Sequence, residues 1–123
     1  MPAGKASLTP AHAVIARAML EDALQKLVLD AAKRLGWRSA HFRPAKTEKG
    51  WRTAVQGDGK GFPDLILLRN GRGLAIELKS QKAAAPVGEQ WAWLEEFGMI
   101  AGFEAYVWRP VDWLCGRIEE RLT

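Results

Sequence analysis

The stretch GFPDLILLRNGRGLAIELK, residues 61–79, decides the fold. Residues 65–69 and 74–78 are short apolar runs, and the Asn70-Gly71 dipeptide between them accepts positive φ at both central positions of a two-residue turn. The stretch therefore reads as a β-hairpin. With Asn70 and Gly71 as the turn, directly opposed residues have numbers summing to 141, so Asp64 faces Glu77. Opposed residues hold their Cβ atoms about 4.5–5.5 Å apart, and two like charges there repel unless something neutralises them, as a hard divalent cation would. Alternation along the strand puts Lys79 on the Glu77 face together with Ile66, Leu68 and Ala75. Leu65, Leu67, Leu74, Ile76 and Leu78 turn to the other face. Both faces are apolar away from the charged end, the pattern of a sheet covered by helices on both sides. A bulge at Gly73 would shift this register by one residue.

An isolated E-x-K is common and describes many solvated surface strands. Here the acids and the lysine lie in a strand too apolar to be an exposed edge, and a Pro-Asp precedes the partner strand. The charged end of the hairpin is therefore the candidate site.

A chain of 123 residues is long enough for one domain with a core of its own. With 48% hydrophobic and 26% charged residues it has the composition of an ordinary soluble globular protein. No apolar run approaches the length of a membrane span, and His12 and Arg17 interrupt the N-terminal region where a signal peptide would need a continuous apolar segment. No membrane partner is expected, and the expected compartment is the cytoplasm. One cysteine, Cys115, excludes an intramolecular disulfide and a cysteine-based metal cluster. The net charge of +4 is concentrated. Between residues 38 and 60, Arg38, Arg43, Lys46, Lys49, Arg52 and Lys60 stand against Glu48 and Asp58, and the rest of the chain is balanced.

Along the chain, residues 1–8 are small and polar, a flexible N-terminus, and residues 9–123 form a single domain. Thr9-Pro10 offers an N-cap and a first helical residue. Leu20, Leu24, Leu27, Val28, Ala31 and Leu35 recur at helical spacing until Gly36, in a helix that either runs on from Pro10 or breaks near Met19. On it Glu21 flanks the apolar stripe, while Asp22 points away with Lys26 and Lys33. Residues 37–42 read as a strand, in which His41 has either a structural place or a proton-carrying one. Residues 44–60 read as a long loop whose charge suits phosphates, with Arg43, Lys46, Lys49, Arg52 and Lys60 as DNA contacts and Trp51 either stacked on a base or partly buried. Residues 87–98 read as a helix with Trp91, Leu94 and Phe97 along one side, and Gln90 and Trp93 beside that stripe. Residues 103–108 read as a strand. From Pro110 a C-terminal helix turns Val111, Leu114, Cys115, Ile118 and Leu122 inward.

Pro63-Asp64 followed by Glu77-Leu78-Lys79 resembles the PD-(D/E)xK nuclease motif. The surrounding G-x-P-D-L, the I-E-L-K strand and the later glutamine, Gln90, are similar to its branch of virus-type replication-repair nucleases, VRR-NUC. The resemblance covers most of the chain. It implies an α/β fold with a restriction-endonuclease-like core, a short mixed β-sheet flanked by helices. It also implies an acidic metal ligand on the first helix, where Glu21 stands, and a role for Gln90 in orienting the site; from its position alone Gln90 reads equally as a solvated helix residue. Asp64, Glu77, the carbonyl of Leu78 and Glu21 would supply only oxygen ligands, which suits Mg²⁺ or Mn²⁺. Lys79 would hold the attacking water or stabilise the developing charge.

The function so implied is a Mg²⁺-dependent, structure-selective endodeoxyribonuclease acting on branched DNA. Small stand-alone members of the branch resemble Holliday-junction resolvases and act as homodimers, in bacterial or virus-infected host cells, in DNA repair and recombination. Two alternatives stand beside it. One is a nickase or a recombination and packaging nuclease that needs a partner protein, and the other is a DNA-binding module that has lost catalysis.

Overall fold

The Asn70-Gly71 turn forms with φ of 48° and 79°, both positive as a two-residue hairpin turn of this kind requires. The structure, a computed structural model, describes residues 8–42, 45–47, 50–52 and 59–123, the short segments 45–47 and 50–52 by their backbone alone. In chain order the elements are α1 (Pro10–Ala18), α2 (Glu21–Arg34), β1 (Arg38–His41), β2 (Ala45–Thr47), β3 (Gly50–Arg52), β4 (Leu65–Arg69), β5 (Arg72–Leu78), α3 (Glu89–Gly98), β6 (Phe103–Trp108), α4 (Pro110–Leu114) and α5 (Arg117–Leu122). This is a small α/β protein. None of its described helices is long and apolar enough to cross a membrane. Apart from Leu8, the N-terminal segment expected to be flexible lies outside the described residues.

A four-stranded mixed sheet has the order β1-β4-β5-β6, so the hairpin supplies its two central strands. β4 and β5 are antiparallel, with Leu65 opposite Ile76, Leu67 opposite Leu74 and Leu68 opposite Gly73. The pairing runs through Gly73 without a bulge. Gly73 instead leaves room for the Phe103 ring, which would lie 2.5 Å from a Cβ there. β1 is antiparallel to β4. β6 is parallel to β5, since Gly73 N donates to Gly102 O and Lys79 N to Trp108 O at the same residue offset. α3 is the crossover between them, as a parallel pair needs. A bidentate pair from Arg72 to Glu104, at 2.8 and 3.2 Å, links the same two strands, and Tyr106 Oη donates to Glu104 as well. The hydrogen bonds that Arg72 donates to Glu104 raise the Arg72 pKa above its ordinary value, so this cation stays charged.

By contact density the described residues divide into two units, one from residues 8–37, 78–85 and 107–123, the other from residues 38–77 and 86–106. In the first, Thr9 caps α1 by accepting from His12 N at 3.1 Å, and Pro10 opens the helix. The chain leaves helical geometry at Met19 and Leu20, so α1 and α2 are separate helices. Leu20, read from periodicity as part of the apolar stripe, is the 72% exposed cap residue of α2, whereas Leu24, Val28 and Ala31 are fully buried. α1 packs against α4 and α2 against α5. Trp37 Nε1 donates to Leu122 O at 2.9 Å.

The single C-terminal helix read from the sequence is divided. Gly116 adopts the left-handed conformation, φ 82°, and separates α4 from α5. Asp112 is buried at this corner, accepting from Arg109 N and pairing with Arg117. Arg109 in turn donates to Ser80 O and Ala83 O, which holds the segment after β5.

In the second unit the alternation of the hairpin is visible in burial. Leu65, Leu67, Leu74 and Ile76 are fully buried on one face. On the other face Ala75 and Glu77 are buried, while Leu68 is 45% exposed. Residues 44–60, read as loop, contain an antiparallel hairpin, β2 with β3, in which Ala45 faces Arg52 and Thr47 faces Gly50. Strands this short, without apolar alternation or an Asn-Gly turn, leave no periodic signal.

Candidate functional site

Continuing the hairpin register by one pair beyond Leu65 and Ile76 sets Asp64 opposite Glu77. Asp64 is held from the other side too: Phe42 N donates to Asp64 O at 2.8 Å, which carries the β1–β4 pairing on past the end of β4. Pro63, before it, is fully buried and fixes the entry into the strand. Glu77 is only 4% exposed. Burying a carboxylate is costly unless hydrogen bonds or a charge compensate. Part of that compensation is Gln90, whose Nε2 donates to Glu77 Oε2 at 2.9 Å. The glutamine of the helix and the glutamate of the strand thus meet.

What brings α3 to this position is the turn before Pro63. Gly61 has φ 79°, and a Cβ there would stand 2.7 Å from Gln90 N and 2.8 Å from the Glu89 carbonyl carbon. Only a glycine allows this approach. Beside it Phe62 packs edge-on against Phe42, Trp93 and Phe97, with ring centroids 5.0, 4.9 and 5.9 Å away. Trp93 Nε1 also donates to Lys60 O at 3.2 Å. Phe97 continues the aromatic contact to Phe103 on β6. The turn that carries Asp64 and the helix that carries Gln90 are therefore clamped together by one glycine and a row of rings.

This alters one reading of α3. Trp91, expected along its inner side, is 51% exposed, and Trp93 takes the inner place. Sequence reasoning gave no role to Gly61, Phe62 or Trp93 in building the site. A glycine and an aromatic directly before Pro-Asp, with an aromatic pair at i and i+4 on the next helix, are the signals that mark them.

The other expected site residues are distributed as follows. Glu21 is the half-buried first residue of α2, and Leu78 is the buried last residue of β5. Lys79 follows at once, half-buried, its backbone N–H on Trp108 O at 3.0 Å. These three belong to the first unit, and Asp64, Glu77 and Gln90 to the second. Of the expected DNA contacts, Lys60 is exposed. Lys46 lies on β2 and Arg52 on β3, where only the backbone is described, and Arg43 and Lys49 lie outside the described residues. So do the side chain of Trp51 and most of the basic segment. His41 is exposed on the edge strand β1.

Among the described residues no group of three or more His, Cys, Asp or Glu side chains is arranged to hold a metal ion. A cation at this site would be held by two carboxylates at most, Asp64 and Glu77. That still fits the chemistry of Mg²⁺, which commonly takes one or two carboxylates and fills its remaining positions with water and substrate phosphate oxygens. The donor set is oxygen only and does not fit zinc or copper. The chain was compared with protein-family models and with curated proteins, and no match was found in either comparison.

Proposed function

We propose that the chain is a metal-dependent DNA endonuclease of the PD-(D/E)xK type, similar to the VRR-NUC branch, hydrolysing phosphodiester bonds in branched DNA. The observation that carries this reading is the hairpin register that, continued one pair beyond Leu65 and Ile76, sets Asp64 against Glu77, with Gln90 hydrogen-bonded to the buried Glu77. Like charges opposed across neighbouring strands are destabilising, and a divalent cation between Asp64 and Glu77 would offset that repulsion. When bound, Mg²⁺ or Mn²⁺ would lower the pKa of a water and offset charge on the phosphodiester.

The residues of the chain divide the remaining work. Asp64 and Glu77 supply the oxygen ligands, with the Leu78 carbonyl beside them along the strand. Gln90 fixes the rotamer of Glu77 through the hydrogen bond to its Oε2. Lys79, the residue directly after the end of β5, provides an ammonium for the attacking water or the developing negative charge. In the reaction the water oxygen bonds to phosphorus, the bond from phosphorus to one sugar oxygen breaks, and a proton goes to that leaving oxygen. The reading rests on Asp64 and Glu77 without Glu21.

The direct test is cleavage of a labelled mobile four-way junction beside a duplex of the same sequence, with Mg²⁺, with Mn²⁺ and with chelator, for the wild type and Lys79→Ala. The expected result is metal-dependent cutting near the branch point, reduced at least about 100-fold in the variant, in the range that loss of one electrostatic stabiliser gives. Binding of the junction with no cutting under either metal would leave a DNA-binding module as the better account.

A further inference from the structure

A pocket of about 520 Å³ opens next to the carboxylate pair, lined by Lys60, Gly61, Val87, Gly88, Glu89 and Gln90. Gln90 is shared: its side chain bonds Glu77, and the same residue forms one wall of the pocket. Gly61 lines it too, held against the start of α3 in a contact where no Cβ can enter. The size falls in the range of pockets that take compact organic ligands, about 300–1,000 Å³. A base pair within a duplex is too broad to enter such a concavity, whereas one extruded base and its sugar would fit.

From this geometry we infer that the pocket receives one unpaired nucleobase of the DNA strand, beside the phosphodiester held at Asp64 and Glu77. The inference deepens the nuclease reading and rests on it. The lining distinguishes a base from a phosphate. Glu89 is an acceptor only and would repel a phosphate, while it would accept N–H groups from the edge of a base. Lys60 offers donors to carbonyl oxygens and ring nitrogens. Val87, 72% exposed, offers an apolar side to the ring. A carboxylate with an ammonium nearby matches guanine best, because its Watson–Crick edge carries two adjacent N–H donors, at N1 and N2, next to the O6 acceptor. Structure selectivity then has a physical source: a branched or bulged strand has already met the cost of unpairing that an intact duplex has not.

The test measures binding of the whole chain to duplexes carrying a single unpaired guanine, an unpaired adenine or an abasic site at the same position, in chelator so that no metal-dependent cutting occurs. A fluorescent 2-aminopurine in the bulge reports insertion. The expected result is binding about tenfold tighter for unpaired guanine than for the abasic duplex, the scale of one good bidentate base contact. Glu89→Ala should bring guanine down to adenine. Val87→Trp, which fills the pocket from an exposed position, should bring both down to the abasic value and abolish the 2-aminopurine signal. Equal affinity for base and abasic site, or a preference that survives Val87→Trp, would overturn the inference. Cleavage of the same duplexes with Mg²⁺ separates the two readings. Cutting without base preference removes the pocket and keeps the nuclease, and base preference with no cutting of any substrate does the reverse.

Discussion

At the scale of single residues, the molecule concentrates its demands on Glu77 and the side chain that serves it. Gln90→Ala removes a hydrogen-bond donor from a carboxylate that is 4% exposed. Loss of a hydrogen bond to a buried charged group costs about 1–3 kcal/mol, to be measured by urea denaturation. If Glu77 holds the cation, cleavage should also fall about 10–100-fold, as it does when partners of metal ligands are removed. Gly61→Ala acts one step further out. Its Cβ would meet Gln90 N at 2.7 Å in a backbone conformation with φ 79°, so it should cost about 1–3 kcal/mol and also weaken the Gln90 contact with Glu77. A variant that lost stability and kept full cleavage would separate the glycine from the site. The pairing of β4 with β5 as far as Leu65 and Ile76 was legible in the sequence, because a two-residue turn fixes every pair after it by counting. The contact of Gln90 with Glu77 was not legible: from its position alone Gln90 read equally as a solvated helix residue. Which side of α3 faces inward is set by Gly61 and Phe62, far away in sequence, and apolar periodicity alone pointed to Trp91 in place of Trp93.

Among the elements, those with a strong local signal were read from the sequence, and two features without one were missed. The β4–β5 hairpin follows from Asn70-Gly71 and from alternation, and the capped start of α1 from Thr9-Pro10. β2 and β3 escaped because three-residue strands carry no period. The break between α4 and α5 was hidden because the apolar positions continue at helical spacing through Gly116, whose left-handed backbone ends one helix and starts the next. Two outcomes follow at this scale. Gly71→Ala should lower stability by about 1–2 kcal/mol, the cost of forcing an L-residue into left-handed geometry, while Asn70→Gly should change it little; urea midpoints check both. Asp112→Ala should cost about 1–3 kcal/mol, because buried Asp112 caps α4 through Arg109 N and pairs with Arg117. It should also loosen the segment at Ser80 and Ala83 that Arg109 holds, which amide hydrogen exchange would register.

For the whole molecule, the resolvase-like reading requires two active sites related by a two-fold axis, so light scattering of the isolated chain should give twice the mass of one chain. A monomer at micromolar concentration would remove that reading and leave a partner-dependent nuclease. The order of the strands in the sheet bears on how the protein is made. β4 and β5 join through a two-residue turn and need nothing else to pair, a process that takes about 1–10 μs in isolated hairpins. β6 reaches β5 only after the chain has passed through α3, a longer closure that is slower to complete. Folding should therefore set the β4–β5 pairing first and deliver Gln90 to Glu77 afterwards. In stopped-flow kinetics, Gly71→Ala should slow refolding and Gln90→Ala should mainly hasten unfolding. During the interval between those events Glu77 stands without the donor that Gln90 later brings to its Oε2.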